Sequence, residues 1–217
     1  MNKTKAQEEE TTVWNPSRFN FKINLDIPTI VSNKALRKSF TGVYDLNGNL
    51  QLRLLNHVYI GIDGNYTGFK IGANKIALIG TECRITTAAF NIGFEKKTNP
   101  KTLVYINANY GYNWIEYTKV ACNDTIQPIK HNNAFSFRPT AGFCYYAEDN
   151  FSLGLDVSYT VLMNAFNPDN ICLRKLKTYY PGDYKGNTSY FSIGLTLNFN
   201  LRKEMFSNSE SDSGDEE

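Results

Sequence analysis

The amino-acid sequence predicts an all-β chain, an eight-stranded antiparallel transmembrane β-barrel flanked by polar tails. Three observations predict it. Apolar and polar side chains alternate over stretches too long for soluble strands, the apolar set carries no charge, and the connections between stretches are short and long in turn.

The alternation is plainest from Phe40 to Leu54. Its even positions read Phe40, Gly42, Tyr44, Leu46, Gly48, Leu50, Leu52 and Leu54, while the odd ones include Thr41, Asp45, Asn47, Asn49, Gln51 and Arg53. Successive side chains of a strand point to opposite faces, so a strand separates these two sets and a helix does not. Soluble strands usually run about five or six residues. A tilted strand crossing a bilayer needs about 9 to 11, and the surplus here suits a wet extension. The same reading predicts strands near 19–28, 40–55, 58–71, 82–95, 102–117, 134–147, 151–163 and 188–201.

The connections 55–57, 96–101 and 148–150 are short, whereas 29–39, 72–81, 118–133 and 164–187 are long. Short periplasmic turns and long extracellular loops give this asymmetry, with both termini in the periplasm. The chain then divides into a polar tail over 1–17, the barrel over 18–201 and an acidic tail over 202–217, expected to be disordered. The first 18 residues hold no apolar signal-peptide core, so either the chain is not exported or its signal is missing.

The location of the charges assigns the faces. One face carries Phe19, Phe21, Ile23, Leu25 and Ile27, then Ile60, Ile62, Phe90, Ile92, Ile106, Tyr110, Phe135, Phe143, Leu155, Val157, Ile193 and Leu195, none of them charged. A cationic residue there in mid-membrane costs roughly 2 to 4 kcal/mol. The other face holds Lys22, Asp26, Asp45, Arg53, Asp63, Arg138 and Asp156, a lumen charge network of mixed sign. A soluble barrel would also alternate, with the faces exchanged. Aromatics near the strand ends (Phe40, Tyr44, Trp114 and Tyr159 at one rim, Phe94, Tyr145 and Phe151 at the other) and glycines on the polar face (Gly61, Gly93, Gly111, Gly142, Gly154, Gly194) favour the membrane. Pro139 inside the sixth strand calls for a bulge or a rim there.

Composition narrows the function classes. With a formal net charge of +2, nucleic acid is not an expected partner. A mean hydropathy of -0.41 and the lack of an apolar run near 18 residues exclude transmembrane helices. The two histidines, His57 and His131, belong to no cluster with metal-ligand spacing, and no cofactor or small-molecule substrate is expected. His131 with Ser136 is the one pair that a rim-sited lipid enzyme would use, and no third orienting group accompanies it. Cys122 and Cys172 fall in long loops, which an export topology places in an oxidising exterior, and are the disulfide candidates; Cys83 and Cys144 read as buried small residues of the polar face. Basic residues in the loops, among them Lys34, Arg37, Lys38, Arg174, Lys175 and Lys177, suit contact with lipopolysaccharide phosphates or an acidic partner.

The last strand carries the most specific local pattern. Ser192-Ile193-Gly194-Leu195-Thr196-Leu197-Asn198-Phe199 resembles the assembly signal of outer-membrane barrels, with Ser192, Gly194, Leu197 and Phe199 at its defining positions, although 16 residues come after Leu201. Together with Phe19 to Leu25 and Tyr110-Gly111-Tyr112-Asn113-Trp114, it makes residues 18–201 resemble small outer-membrane barrels of Bacteroidetes, of the PorT or OmpA-like kind. The resemblance implies a non-enzymatic barrel of the bacterial outer membrane. It would be a structural or accessory subunit of a secretion or barrel-assembly complex, in contact with lipid and lipopolysaccharide. A small pore and a rim-sited lipid-modifying enzyme are the alternative functions. A mitochondrial-type outer membrane is the alternative location, disfavoured by the even strand number.

Overall fold

The structure, a computed structural model, describes residues 18–71, 81–119, 121–122, 125–126, 129–148, 150–164, 166–172 and 180–201, and for Ala121, Cys122, Thr125, Ile126, Asn170 and Pro181 the backbone only. Eight long strands form the body: β1 (Phe19–Ile30), β2 (Phe40–Arg53), β3 (Val58–Ile71), β4 (Glu82–Asn99), β5 (Thr102–Thr118), β8 (Lys130–Glu148), β9 (Phe151–Leu162) and β10 (Thr188–Leu201). A short helix α1 (Lys34–Ser39) and a hairpin of β6 (Ala121–Cys122) and β7 (Thr125–Ile126) lie in the connections. Each long strand pairs antiparallel with its neighbours, and β1 pairs with β10 from Phe19↔Leu201 to Ile30↔Tyr190, which closes the barrel. Closure leaves no unpaired strand edge among these eight.

Along the middle of the strands the outward positions are apolar and exposed, as for Leu25, Ile62, Phe90, Ile106, Phe143, Leu155 and Ile193, while the inward ones between them are buried. Two expectations are corrected. First, the phase of β2 changes at a bulge between Gly42 and Tyr44. Below it Leu46 and Leu50 face out. Above it Thr41 and Val43 do, and Phe40, expected in the outer aromatic rim, turns inward to 2% exposure. The β1–β2 ladder ends at Asp26↔Asp45, just before Pro28, which has no N–H to give it. A Cβ on Gly42 would lie 1.7 Å from the Pro28 carbonyl oxygen, so only glycine admits the backbone crowding here. The extra residue of a bulge exchanges the faces of the residues on its far side.

Second, Pro139 needs neither a bulge nor a rim. The β8–β9 pairings resume at Thr140↔Ser158 in the register that Phe137↔Val161 had set, so the missing N–H interrupts the ladder without shifting it. The barrel absorbs the gap because β8 stays paired with β5 on its other side, from Tyr117↔Lys130 to Thr102↔Tyr145.

The helix α1 folds into the barrel mouth at the loop end. Asn33, in the left-handed region at φ 59°, caps it: its side-chain oxygen accepts from the Leu36 N–H at 3.1 Å. Ala35, Leu36 and Ser39 are buried against the strands, and Lys34, Arg37 and Lys38 point to solvent. Six residues are too few to stand as an isolated helix, so this one depends on the surface beneath it.

Candidate functional site

The interior is layered. At the loop end an apolar layer joins Ile30, Ala35, Leu36 and Phe40 to Phe69, Ile85, Tyr117 and Phe166. The cavity that remains under α1 measures about 20 Å³, about the room one water needs. Near the short turns Leu103, Tyr105, Cys144 and Tyr146 form a second apolar layer.

Between these layers lies the charged lumen. Arg138 Nη2 lies 3.2 Å from Asp26 Oδ2 and 3.3 Å from Asp45 Oδ2. Asp45 also accepts from the Ser192 hydroxyl at 2.6 Å and the Thr67 hydroxyl at 3.0 Å. Asp63 accepts from Asn47, Asn49 and Asn109 at 2.8, 3.2 and 3.1 Å. Asp156 accepts from Thr196 and Asn24, both at 2.8 Å. Lower down, Lys22 pairs with Glu95, donates to Gln51 at 3.1 Å and sits 4.1 Å over the Tyr105 ring. A buried charge without partners would cost several kcal/mol, and this web of amides and hydroxyls supplies them. A second internal space, beside Arg138, Asp63 and Thr160, measures about 10 Å³.

Six of the seven expected lumen charges, Lys22, Asp26, Asp45, Asp63, Arg138 and Asp156, are thus buried together. Arg53 is not one of them: it is half-buried at the end of β2, beyond the network, because the last turn of the wall opens there to solvent. Glu95 takes a place that sequence reasoning missed. Its signal was its parity with Asn91 and Gly93 on the polar face, obscured because the strand was expected to end on it. Ser192 points into the lumen, Gly194 lies in the wall between Asp26 and Asp156, and Leu197 and Phe199 lie on the outward phase of β10.

The loop sites are only partly described. Lys34 Nζ lies 2.9 Å from Asp183 Oδ1, and that contact with the Tyr180 N–H holds the Asp183 carboxyl below its ordinary range. Arg37 donates to the Val31 carbonyl at 3.3 Å, and Lys38 is exposed. Arg174, Lys175 and Lys177 lie outside the described residues, as does the Cys122 side chain on which the expected link to Cys172 depends. Cys83 and Cys144 are free and buried. His131 and Ser136 do not come together. His131 is 64% exposed, 3.5 Å from Glu116, while Ser136 is buried in the lumen.

Among the described residues, the outer wall has a marked irregularity. Gly48, Gly64 and Ala88 lie side by side on β2, β3 and β4, in register, and leave an apolar notch of about 700 Å³ bordered by Leu50, Ile62, Phe90 and Tyr112. A Cβ on Gly48 or Gly64 would meet nothing within 4 Å.

An apolar wall around a charged lumen is stable only with hydrocarbon outside, and the closed strands satisfy the backbone there. This chain is an integral β-barrel of the outer-membrane kind. Neisserial surface protein A has the same fold: it is 12% identical, with a TM-score of 0.57, and the match covers 87% of this chain and 100% of that one. Ail, the attachment invasion locus protein of Yersinia pestis, matches at 13% identity and a TM-score of 0.45 over 85% of this chain and 100% of that one. OprG from Pseudomonas aeruginosa matches at 12% and 0.44 over 86% and 98%. No family model matches the sequence, and no curated protein does.

Proposed function

We propose that this protein is a non-enzymatic outer-membrane barrel that works through its outer surfaces, as a structural or accessory subunit of a larger outer-membrane complex for secretion or barrel assembly. The filled lumen carries this reading. An eight-stranded barrel encloses an interior just wide enough for side chains. Here two apolar layers and a partnered charge layer occupy it, and two internal spaces among the described residues measure about 20 and 10 Å³. A route for solute is therefore disfavoured, and the separation of His131 from Ser136 removes the one nucleophile–base pair on which an enzyme reading stood.

Two surfaces remain for binding. In a membrane, small residues let a partner's backbone approach closely, and the notch over Gly48, Gly64 and Ala88 offers that approach at the wall. The exposed cations of α1, Lys34, Arg37 and Lys38, suit lipopolysaccharide phosphates at the loop end. The test is co-purification from mild detergent of the intact chain and of Gly64→Leu. A partner that the intact chain retains and the variant loses, with the variant's heat-modifiable gel migration unchanged, is the expected result. A barrel that purifies alone from its native membrane would overturn the reading.

A further inference from the structure

Among the described residues, five buried carboxylates, Asp26, Asp45, Asp63, Glu95 and Asp156, share the lumen with two buried cations, Lys22 and Arg138. Lys22 is taken by Glu95, and Arg138 spans Asp26 and Asp45. No described salt bridge reaches Asp156. Its neighbour is Asp26: both are paired with Gly194, one from β1 and one from β9, and Asp156 reaches over to β1, where it accepts from Asn24, two residues before Asp26. A Cβ on Gly194 would stand 2.3 Å from Asp26 Oδ1 and 2.1 Å from the Leu25 carbonyl oxygen, so glycine is what lets the Asp26 carboxyl sit there.

The donors are divided unequally between the two. Asp156 accepts at both oxygens, from Thr196 and from Asn24. Asp26 accepts at Oδ2 from Arg138, whereas its Oδ1 is buried and meets no donor. An acceptor of this kind is costly in a dry interior. Beside it the Asn24 side-chain oxygen is also buried without a donor, because its amide nitrogen is turned to Asp156. Two carboxylates side by side across a glycine are disfavoured as a doubly ionised pair away from water, and a proton turns the orphaned acceptor into a donor.

We propose that Asp26 and Asp156 form a proton-binding site, in which one proton is held on Asp26 Oδ1 and donated to the Asp156 carboxylate. The remaining groups that face the pair are Arg138 and Cys144 from β8, Asp45 from β2 and Tyr105 from β5. Asp63 on β3 lies beyond Arg138, and β10 contributes Gly194 and Thr196, which carry no charge. Uptake of this proton leaves four lumen carboxylates against two cations and joins β1 to β9 across β10.

In the unfolded chain both carboxyls ionise near pH 4. Above that, the folded barrel binds one proton more than the unfolded chain, and its folding equilibrium constant falls about tenfold for each pH unit that the site stays loaded. In Asp26→Asn the amide N–H takes the place of the proton as donor and cannot ionise, so this one-proton dependence disappears; Asp156→Asn removes it from the other side. The experiment is urea unfolding of the intact chain and both variants in lipid vesicles between pH 5 and 8, read as the slope of the logarithm of the equilibrium constant. Every other ionisable group is common to all three, so the difference between slopes reports the pair. Infrared spectra of the folded intact protein at neutral pH supply a readout that needs no variant to fold. The expected results are a slope difference near one proton and a protonated carboxylic acid C=O band that is absent from Asp26→Asn. Equal slopes in all three proteins, or no such band in the intact protein, would overturn the proposal.

Discussion

At the scale of single residues, the environment of a charge decides its weight. Arg138 is buried and serves two carboxyl groups, so Arg138→Met leaves the Asp45 charge uncompensated and Asp26 Oδ2 without its donor. A loss of roughly 3 to 5 kcal/mol in urea unfolding is expected. Lys34→Ala removes a contact of similar length, 2.9 Å, from a side chain 52% exposed. Solvent already screens that pair, and a far smaller change is expected in the same measurement. Because the Asp183 carboxyl is held low, what this contact adds is present above the ordinary carboxyl range and lost as the pH falls from there through the lowered value. On the outer wall, Leu155→Arg puts a cation where the side chain is 60% exposed to hydrocarbon. It should cost roughly 2 to 4 kcal/mol, seen as impaired membrane assembly by heat-modifiable gel migration, with Leu155→Phe as the tolerated control.

Among the elements, α1 depends on the barrel more than the barrel depends on α1. Leu36→Ala removes a buried side chain from the mouth layer, a change that typically costs about 2 to 5 kcal/mol. Its effect belongs to a local opening, so hydrogen exchange should quicken over residues 33–39 while the amides of the eight strands keep their protection. The long loops hold Cys122 and Cys172, the two cysteines of the expected disulfide. With Cys83 and Cys144 free and buried, Cys122 and Cys172 are the pair left to form one. Non-reducing peptide mapping of protein isolated under oxidising conditions should recover them linked, and two free thiols would refute the link. Of the elements themselves, β3 and β10 have the limits that their alternation and flanking turns implied. The helix α1 escaped notice because six residues hold fewer than two helical turns, too short for a 3.6-residue period to emerge.

For the whole molecule, the filled lumen predicts that purified monomer in planar bilayers shows no stable conductance. Steady channels that persist at one size through Arg138→Met would contradict it. The eight strands, their antiparallel closure and the direction of the apolar wall could all be read along the chain, because each depends on a period of two and on where charge is tolerated. Neighbours a few residues apart carry that information. What the three-dimensional structure alone decided lies where distant segments meet. Phe40 turns inward because Pro28, twelve residues earlier, ends a ladder and crowds Gly42. Glu95 joins Lys22, and Asp26 meets Asp156 across Gly194, through pairings that only closure creates. Ile85, Ile115 and Tyr117 fill the mouth because α1 folds down on them. Alternation tells inside from outside along each strand, but the partners across a lumen are set by the register of eight strands at once, and no local pattern encodes that.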